Sequence, residues 1–136
     1  MELNVLLVED YPHPRDRVWR ALIEPDALRV WLMANDFEPR IGKRFILRGR
    51  PLPEEWRGWV ECEVLELEAP RRMVWAWISN EGAPSTRVEF QLEEIEGGTR
   101  FTFSHTGEID PLMGSRLTEG WPGKLAELGT HLSAAV

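Results

Sequence analysis

Residues 56–79 show a clear alternation of apolar and polar positions. Val60, Cys62 and Val64 alternate with glutamates, and after Val64 the apolar position moves by one residue to Leu65. Successive side chains of a β-strand point to opposite faces, so a change of phase indicates a bulge or a bend. The pattern therefore predicts a strand that bends near its middle.

A tight reversal is predicted directly after this strand. Pro70 fixes its own backbone angle and has no N–H donor, both of which suit a turn. Residues 73–79 then read as a return strand that is apolar on both faces, with Trp75 and Trp77 on the same face. The two strands together predict part of a curved antiparallel sheet.

The N-terminal part of the chain predicts a strand followed by two short helices. Residues 3–10 read as the strand, and residues 14–23 have the apolar spacing of a helix. Pro25 ends that helix and begins the second one, because proline is well accommodated at the first helical position. Residues 34–42 are expected to form a turn or a short strand.

The remainder of the chain predicts further strands and a C-terminal helix. Apolar residues alternate with polar ones around 45–49, 88–92 and 101–105, and glycines at 97 and 98 indicate a hairpin turn between the last two. Apolar residues then recur at helical spacing over residues 112–132. Pro122 lies inside this stretch, so we expect either a kinked helix or one that starts near this proline.

Two parts of this pattern resemble a known superfamily. Their residues are Gly58-x-Val60-x-x-x-Val64-Leu65-Glu66-Leu67-x-x-Pro70-Arg71-Arg72-x-Val74-x-x-Trp77 and Glu24-Pro25-x-x-Leu28-x-x-Trp31. The first resembles the central hairpin of the START-like (SRPBCC) superfamily, in the branch similar to the C-terminal domain of the activator of the heat-shock ninety ATPase. The second is similar to the second helix of that family.

The resemblance implies an α+β helix-grip (START-like) fold with a single domain over residues 1–136. In this fold a curved antiparallel sheet of about seven strands surrounds a long C-terminal helix, and two short helices follow the first strand. The superfamily includes binders, cyclases, hydrolases and co-chaperones, so its fold alone does not define a function.

Composition and charge exclude several classes of partner. The net charge of −7 opposes binding to nucleic acid, which requires clustered lysine and arginine. Cys62 is the only cysteine, so neither an intrachain disulfide nor a cysteine-based metal site is expected. The N-terminus predicts no membrane span or signal peptide, and we expect a cytoplasmic protein.

The chain contains seven tryptophans, whose large flat side chains suit either a filled core or the wall of an apolar ligand site. We expect a cavity between the sheet and the C-terminal helix, with the loop at residues 51–55 as one rim. The candidate ligand-binding residues are Phe45, Trp59, Trp75, Trp77, Phe90, Phe103, His105, Trp121 and Leu125.

His105 is the polar residue of greatest interest, because it shares a strand face with Phe101 and Phe103. It is either a hydrogen-bonded structural histidine at a strand end or a polar group of the cavity with acid–base capacity. The histidines are scattered, and no phosphate-binding loop or nucleophile motif occurs. We therefore predict no metal and no cofactor.

Three functions agree with this sequence. The first is a small domain that binds an apolar or aromatic molecule in the cavity. The second, implied by the resemblance, is a co-chaperone-type protein that stimulates a heat-shock ATPase; we expect no such stimulation, since one domain offers one contact surface. The third is a cyclase- or hydrolase-like enzyme that uses the same cavity. The sequence does not define the ligand or the oligomeric state.

Overall fold

The computed structural model describes residues 1–134, which form one curved sheet and three helices. The elements, in chain order, are β1 (Glu2–Tyr11), α1 (Arg15–Ile23), α2 (Pro25–Trp31), β2 (Ala34–Asn35), β3 (Arg44–Arg48), β4 (Trp59–Glu68), β5 (Arg72–Ile78), β6 (Thr86–Ile95), β7 (Gly98–Glu108) and α3 (Pro111–Ala134). Among these residues no helix is both long and apolar enough to cross a membrane.

The sheet has seven antiparallel strands in the order β1-β7-β6-β5-β4-β3-β2. Strand β1 therefore pairs with β7, near the other end of the chain, and α1 and α2 connect the two edges of the sheet. Helix α3 packs against β1, α1 and α2. This arrangement confirms the predicted helix-grip fold with its two short helices and long C-terminal helix.

The predicted irregularity in β4 is a bulge. Val64 pairs with Trp75, whereas Glu66 pairs with Val74, so Leu65 is left without a partner between them. Leu65 is 39% exposed, which agrees with an extra residue that the bulge turns away from the core. The change of phase in the sequence thus corresponds to the bend in the sheet.

Helix α3 is continuous through Pro122 and begins at Pro111 rather than near Pro122. Proline provides no N–H for the carbonyl four residues earlier, so one backbone hydrogen bond is missing there. The buried residues of α3 on both sides of this position keep helical spacing; they are Met113, Gly114, Trp121, Leu125, Leu128 and Leu132. The packing of this stripe on the sheet outweighs the missing bond.

The centre of the core is a continuous series of aromatic rings. Phe45, Trp75, Phe90 and Phe103 are all fully buried or nearly so. Their ring centroids lie 4.9, 4.7 and 5.6 Å apart in that order, in edge-to-face arrangements. Such geometry adds to the gain from removing large apolar surfaces from water.

We expect Phe90→Ala to lower the free energy of unfolding by about 3–5 kcal/mol, because it leaves a cavity in the centre of this series. Val8→Ala is the control, since Val8 is 54% exposed and its truncation should change stability by less than about 0.5 kcal/mol. Urea denaturation of both variants measures the difference. Equal effects would contradict this description of the core.

Candidate functional site

His105 is fully buried and belongs to a chain of hydrogen bonds that links the helix to the sheet. The indole N–H of Trp121 donates to His105 Nδ1 at 3.0 Å. Nε2 therefore carries the ring proton and donates to Thr86 Oγ1 at 2.7 Å. The Thr86 hydroxyl in turn donates to the carbonyl of Trp77 at 3.1 Å. Every polar atom of the imidazole thus has a partner.

Burial lowers the pKa of His105 from 6.5 to about 3, because the apolar surroundings disfavour the charged form. The imidazole is therefore neutral near pH 7, and both of its nitrogens are occupied by Trp121 and Thr86. These features favour a structural role for His105 over acid–base chemistry.

The space predicted between Trp121 and Phe103 is filled. Their ring centroids are 4.2 Å apart, and both rings are buried. The cavity expected between the sheet and the C-terminal helix is therefore absent at these two candidate residues, because their rings are in direct contact. Leu125, one turn further along α3, is only 1% exposed and belongs to the same closed interior.

The other predicted ligand-binding residues divide between the core and the surface. Phe45, Trp75 and Phe90 belong to the buried aromatic series. Trp59 is 36% exposed and alternates with buried Val60, so it lies on the outer face of β4, where the Arg57 guanidinium covers its ring at 4.6 Å. These side chains line no cleft between the sheet and α3.

A two-lobed cleft lies beside the closed interior, along the first turns of α3. The larger lobe has a volume of about 140 Å³ and the smaller about 80 Å³. The residues shared by both lobes are Met33, Trp77, Arg116 and Leu117. Leu52, Glu55, Trp56, Val60, Ser79, Leu112 and Met113 complete the larger lobe, and Leu32, Gly120, Trp121 and Lys124 the smaller. We call this site the α3 cleft.

Trp77 and Trp121 are thus the predicted residues that the structure brings to the α3 cleft. The 51–55 loop, which the sequence predicts as one rim, contributes Leu52 and Glu55 to the lining. Met33 and Trp56 also line the cleft but were not among the predicted residues. Met33 follows the second short helix, and Trp56 lies at the start of the 56–79 stretch, before the alternation that begins at Val60, so no periodic signal pointed to them.

Ser79 fixes the two indoles that line the larger lobe. Its hydroxyl oxygen accepts a hydrogen bond from Trp77 Nε1 at 3.0 Å, and its carbonyl accepts one from Trp56 Nε1 at 2.9 Å. Because both indole N–H groups have partners at the end of β5, their rings provide apolar wall without an unsatisfied donor. Ser79 itself is 2% exposed.

The loop between β3 and β4 is attached to the end of β5 by polar contacts. The backbone N–H of Arg57 donates to Asn80 Oδ1 at 3.2 Å, and Asn80 Nδ2 donates to the Glu55 carbonyl at 3.1 Å. The Arg57 guanidinium also reaches the Ile78 carbonyl at 3.2 Å. These contacts hold the loop as one wall of the α3 cleft.

The charged groups of the cleft lie at its edge. Arg116 Nη2 donates to both carboxylate oxygens of Glu55, at 2.8 and 2.9 Å, and so joins α3 to the loop. Lys124 donates to the Leu32 carbonyl at 3.0 Å and joins α3 to the end of α2. The remainder of the lining is largely apolar.

A larger depression of about 510 Å³ lies on the outer face of the sheet and is lined partly by Arg44, Ile46, Glu61 and Ile78. The Arg44 and Glu61 side chains are 86% and 52% exposed, respectively. The α3 cleft, in contrast, is lined by two indoles whose N–H groups already have partners, so we consider it the better candidate despite its smaller volume. Within residues 1–134 no group of three His, Cys, Asp or Glu residues is placed to hold a metal ion.

Comparison with known proteins gives one family match. The sequence profile of the family described as "Activator of Hsp90 ATPase homolog 1-like protein" matches residues 12–133. A search of curated proteins gives no significant match.

Solved structures resemble this chain over nearly its whole length. Protein MLL2253 from Mesorhizobium loti is 28% identical with a TM-score of 0.86, and the match covers 98% of each chain. CalU16 from Micromonospora echinospora is 27% identical with a TM-score of 0.79, covering 96% of this chain and 76% of that one. Protein BH1534 from Bacillus halodurans shares the fold at 24% identity, with a TM-score of 0.75 and coverage of 97% and 96%.

We expect the stability of the protein to fall as the pH decreases from 6.5 to 5. Unfolded His105 binds a proton near pH 6.5, whereas the folded protein binds it only near pH 3, so acid favours the unfolded state across this window. Protonation of His105 in the unfolded state lowers the free energy of unfolding by up to about 1.4 kcal/mol for each pH unit of decrease, and it has little effect above pH 7.

Denaturant titrations at several pH values measure this slope. His105→Gln should make the slope shallower, because glutamine does not titrate. Thr86→Val is the matched variant: it removes the Nε2 acceptor but leaves the buried imidazole, so the slope should remain. An unchanged slope in His105→Gln would contradict this account of His105.

Proposed function

The chain belongs to the family of activator of Hsp90 ATPase homolog 1-like proteins, and we propose that it binds a small apolar or aromatic molecule in the α3 cleft. The observation that carries this proposal is a largely apolar, two-lobed opening whose larger lobe is lined by the indoles of Trp56 and Trp77. Their N–H groups are already bonded to Ser79, so the site is formed without a ligand.

The dimensions of the cleft support a compact ligand. A lobe of about 140 Å³ is close to the size of an apolar protein cavity of about 150 Å³ that holds benzene. The site therefore suits a single ring or a short branched chain, and a larger molecule would extend into the smaller lobe or toward solvent. Burial of each apolar Å² would contribute roughly 25 cal/mol, less the cost of ordering the ligand.

The titratable groups near the cleft support binding rather than catalysis. Glu55 and Arg116 are engaged with each other, and Lys124 is bonded to a backbone carbonyl. His105 lies behind Trp121 with both nitrogens occupied. A general acid or base needs a proton-exchanging atom within reach of the substrate, and these side chains do not present one to the apolar lobes.

We expect toluene to bind in the cleft, to shift the indole N–H resonances of Trp56 and Trp77, and to raise the unfolding temperature, since only the native state has the site. Leu117→Trp should abolish both effects, because Leu117 lines both lobes and the larger side chain fills them.

Val30→Trp is the control for added bulk: Val30 lies on α2 and is 61% exposed, outside the cleft. It should bind toluene as the parent protein does. Absence of toluene binding in the parent protein, or equal binding by Leu117→Trp, would contradict the proposed site.

The family description favours a second candidate, stimulation of an Hsp90-type ATPase. We expect no acceleration, because the features described above point to a small-molecule cleft. Steady-state ATP turnover by the chaperone, with and without an excess of this protein, measures the effect. A reproducible increase in turnover that is retained in Leu117→Trp would place the function on the surface and away from the cleft.

A further inference from the structure

The charge at the α3 cleft differs in sign from that of the chain. The titratable side chains among the described lining residues are Glu55, Arg116 and Lys124, which give an excess of one positive charge. Glu119, outside the lining, also acts on Arg116 through its charge. The whole chain has a net charge of −7, which on its own repels anions. Attraction of an anion to this site would therefore come from the charged lining residues and not from the net charge of the chain.

Arg116 has free hydrogen-bonding capacity. Both carboxylate oxygens of Glu55 are bonded to the same atom, Arg116 Nη2, at 2.8 and 2.9 Å. A guanidinium can instead bind a carboxylate through two parallel N–H groups, which is the stronger geometry. Within residues 1–134, Nε and Nη1 of Arg116 have no hydrogen-bond partner. These N–H groups can donate to a second carboxylate, which either binds beside Glu55 or replaces it.

Glu55 is a weakly held partner. The Arg116 and Glu55 side chains are 48% and 28% exposed, respectively. Ion pairs in such partly solvated positions are screened and contribute little to stability. Glu55 can therefore turn toward solvent at low cost when another carboxylate approaches Arg116.

Lys124 is less suited to the same role. Its ammonium donates to the Leu32 carbonyl at 3.0 Å. Leu32 is the residue that ends α2. Lys124 lines only the smaller lobe, whereas Arg116 lines both the larger and the smaller lobe. A ring in the larger lobe with a carboxylate at the edge would meet Arg116 first.

We propose that the α3 cleft selects small aromatic molecules that carry a carboxylate, and that Arg116 binds the carboxylate in place of Glu55. This inference rests on the proposed function, since the ring must occupy the apolar lobe. Glu55 then acts as an internal competitor: it holds the loop to α3 in the free protein and is displaced by the acid.

Benzoate and benzyl alcohol test this selection, because they share a ring and differ in charge. Titrations followed by the indole N–H resonances of Trp56 and Trp77 give both dissociation constants at neutral pH. We expect benzoate to bind at least about fivefold more tightly, which is the scale of one charge-assisted contact reduced by the competition with Glu55.

Substitutions of the charged lining residues assign the effect, with Lys124→Gln as the test of the other cation. Arg116→Gln should bring the ratio of the benzoate and benzyl alcohol dissociation constants to about one. Glu55→Gln should strengthen benzoate binding about threefold relative to benzyl alcohol, because a competing like charge is lost. Arg44→Gln is the matched control, since Arg44 is an 86% exposed arginine on the outer face of the sheet, and it should behave as the parent protein.

The outcomes separate this inference from the proposed function. Equal binding of the two probes overturns the carboxylate preference but leaves the apolar site in place. Absence of binding by both probes overturns the proposed function and this inference with it. A preference that survives in Arg116→Gln but is lost in Lys124→Gln overturns the assignment to Arg116. Equal changes for both probes in Glu55→Gln show that Glu55 only holds the loop, and overturn its role as a competitor.

Discussion

The hydrogen bond from the Trp121 indole to His105 is the interaction on which the arrangement of helix and sheet depends. A buried indole N–H needs an acceptor, and a buried imidazole nitrogen needs a donor. Each satisfies the other here, and Thr86 and the Trp77 carbonyl complete the chain on the sheet side. This chain of hydrogen bonds joins α3 to the sheet within a largely apolar interior, and the Tyr11 hydroxyl adds a second buried link from β1 to the Leu125 carbonyl of α3.

Trp121 also divides α3 into two parts with different surroundings. Beyond it, Leu125, Leu128 and Leu132 are buried against the sheet and the short helices. Before it, Met113 and Gly114 are buried, but Leu112 is 48% exposed and Leu117 lines the α3 cleft. The segment of α3 after Trp121 supplies packing that stabilises the fold. The segment before Trp121 leaves Leu112 and Leu117 on an apolar surface that this packing does not use. A binding site at this boundary needs no cavity in the core.

The resemblance carried by the sequence was correct for the family and the fold. The pattern of apolar and polar residues placed the irregularity of β4, the hairpin at Gly97 and the C-terminal helix, because each has a local signal: a change of phase, a glycine pair, or a 3.6-residue period. It was less informative about the site. Phe45, Trp75 and Phe90 show the same alternation as Trp77, but only Trp77 reaches the cleft.

The sequence by itself determined the type and order of the main elements, because alternation and helical spacing depend only on local geometry. It did not fully determine which residues lie inward, since Trp59 was expected in the cavity and lies on the outer face of β4. It did not determine whether the inward rings leave space, since that depends on how side chains from distant segments fill the same volume. Phe103 and Trp121 lie on different elements and close the interior by direct contact. Only the tertiary structure brings Trp56, Trp77 and Arg116 together, from a loop, a strand and a helix, to form the α3 cleft.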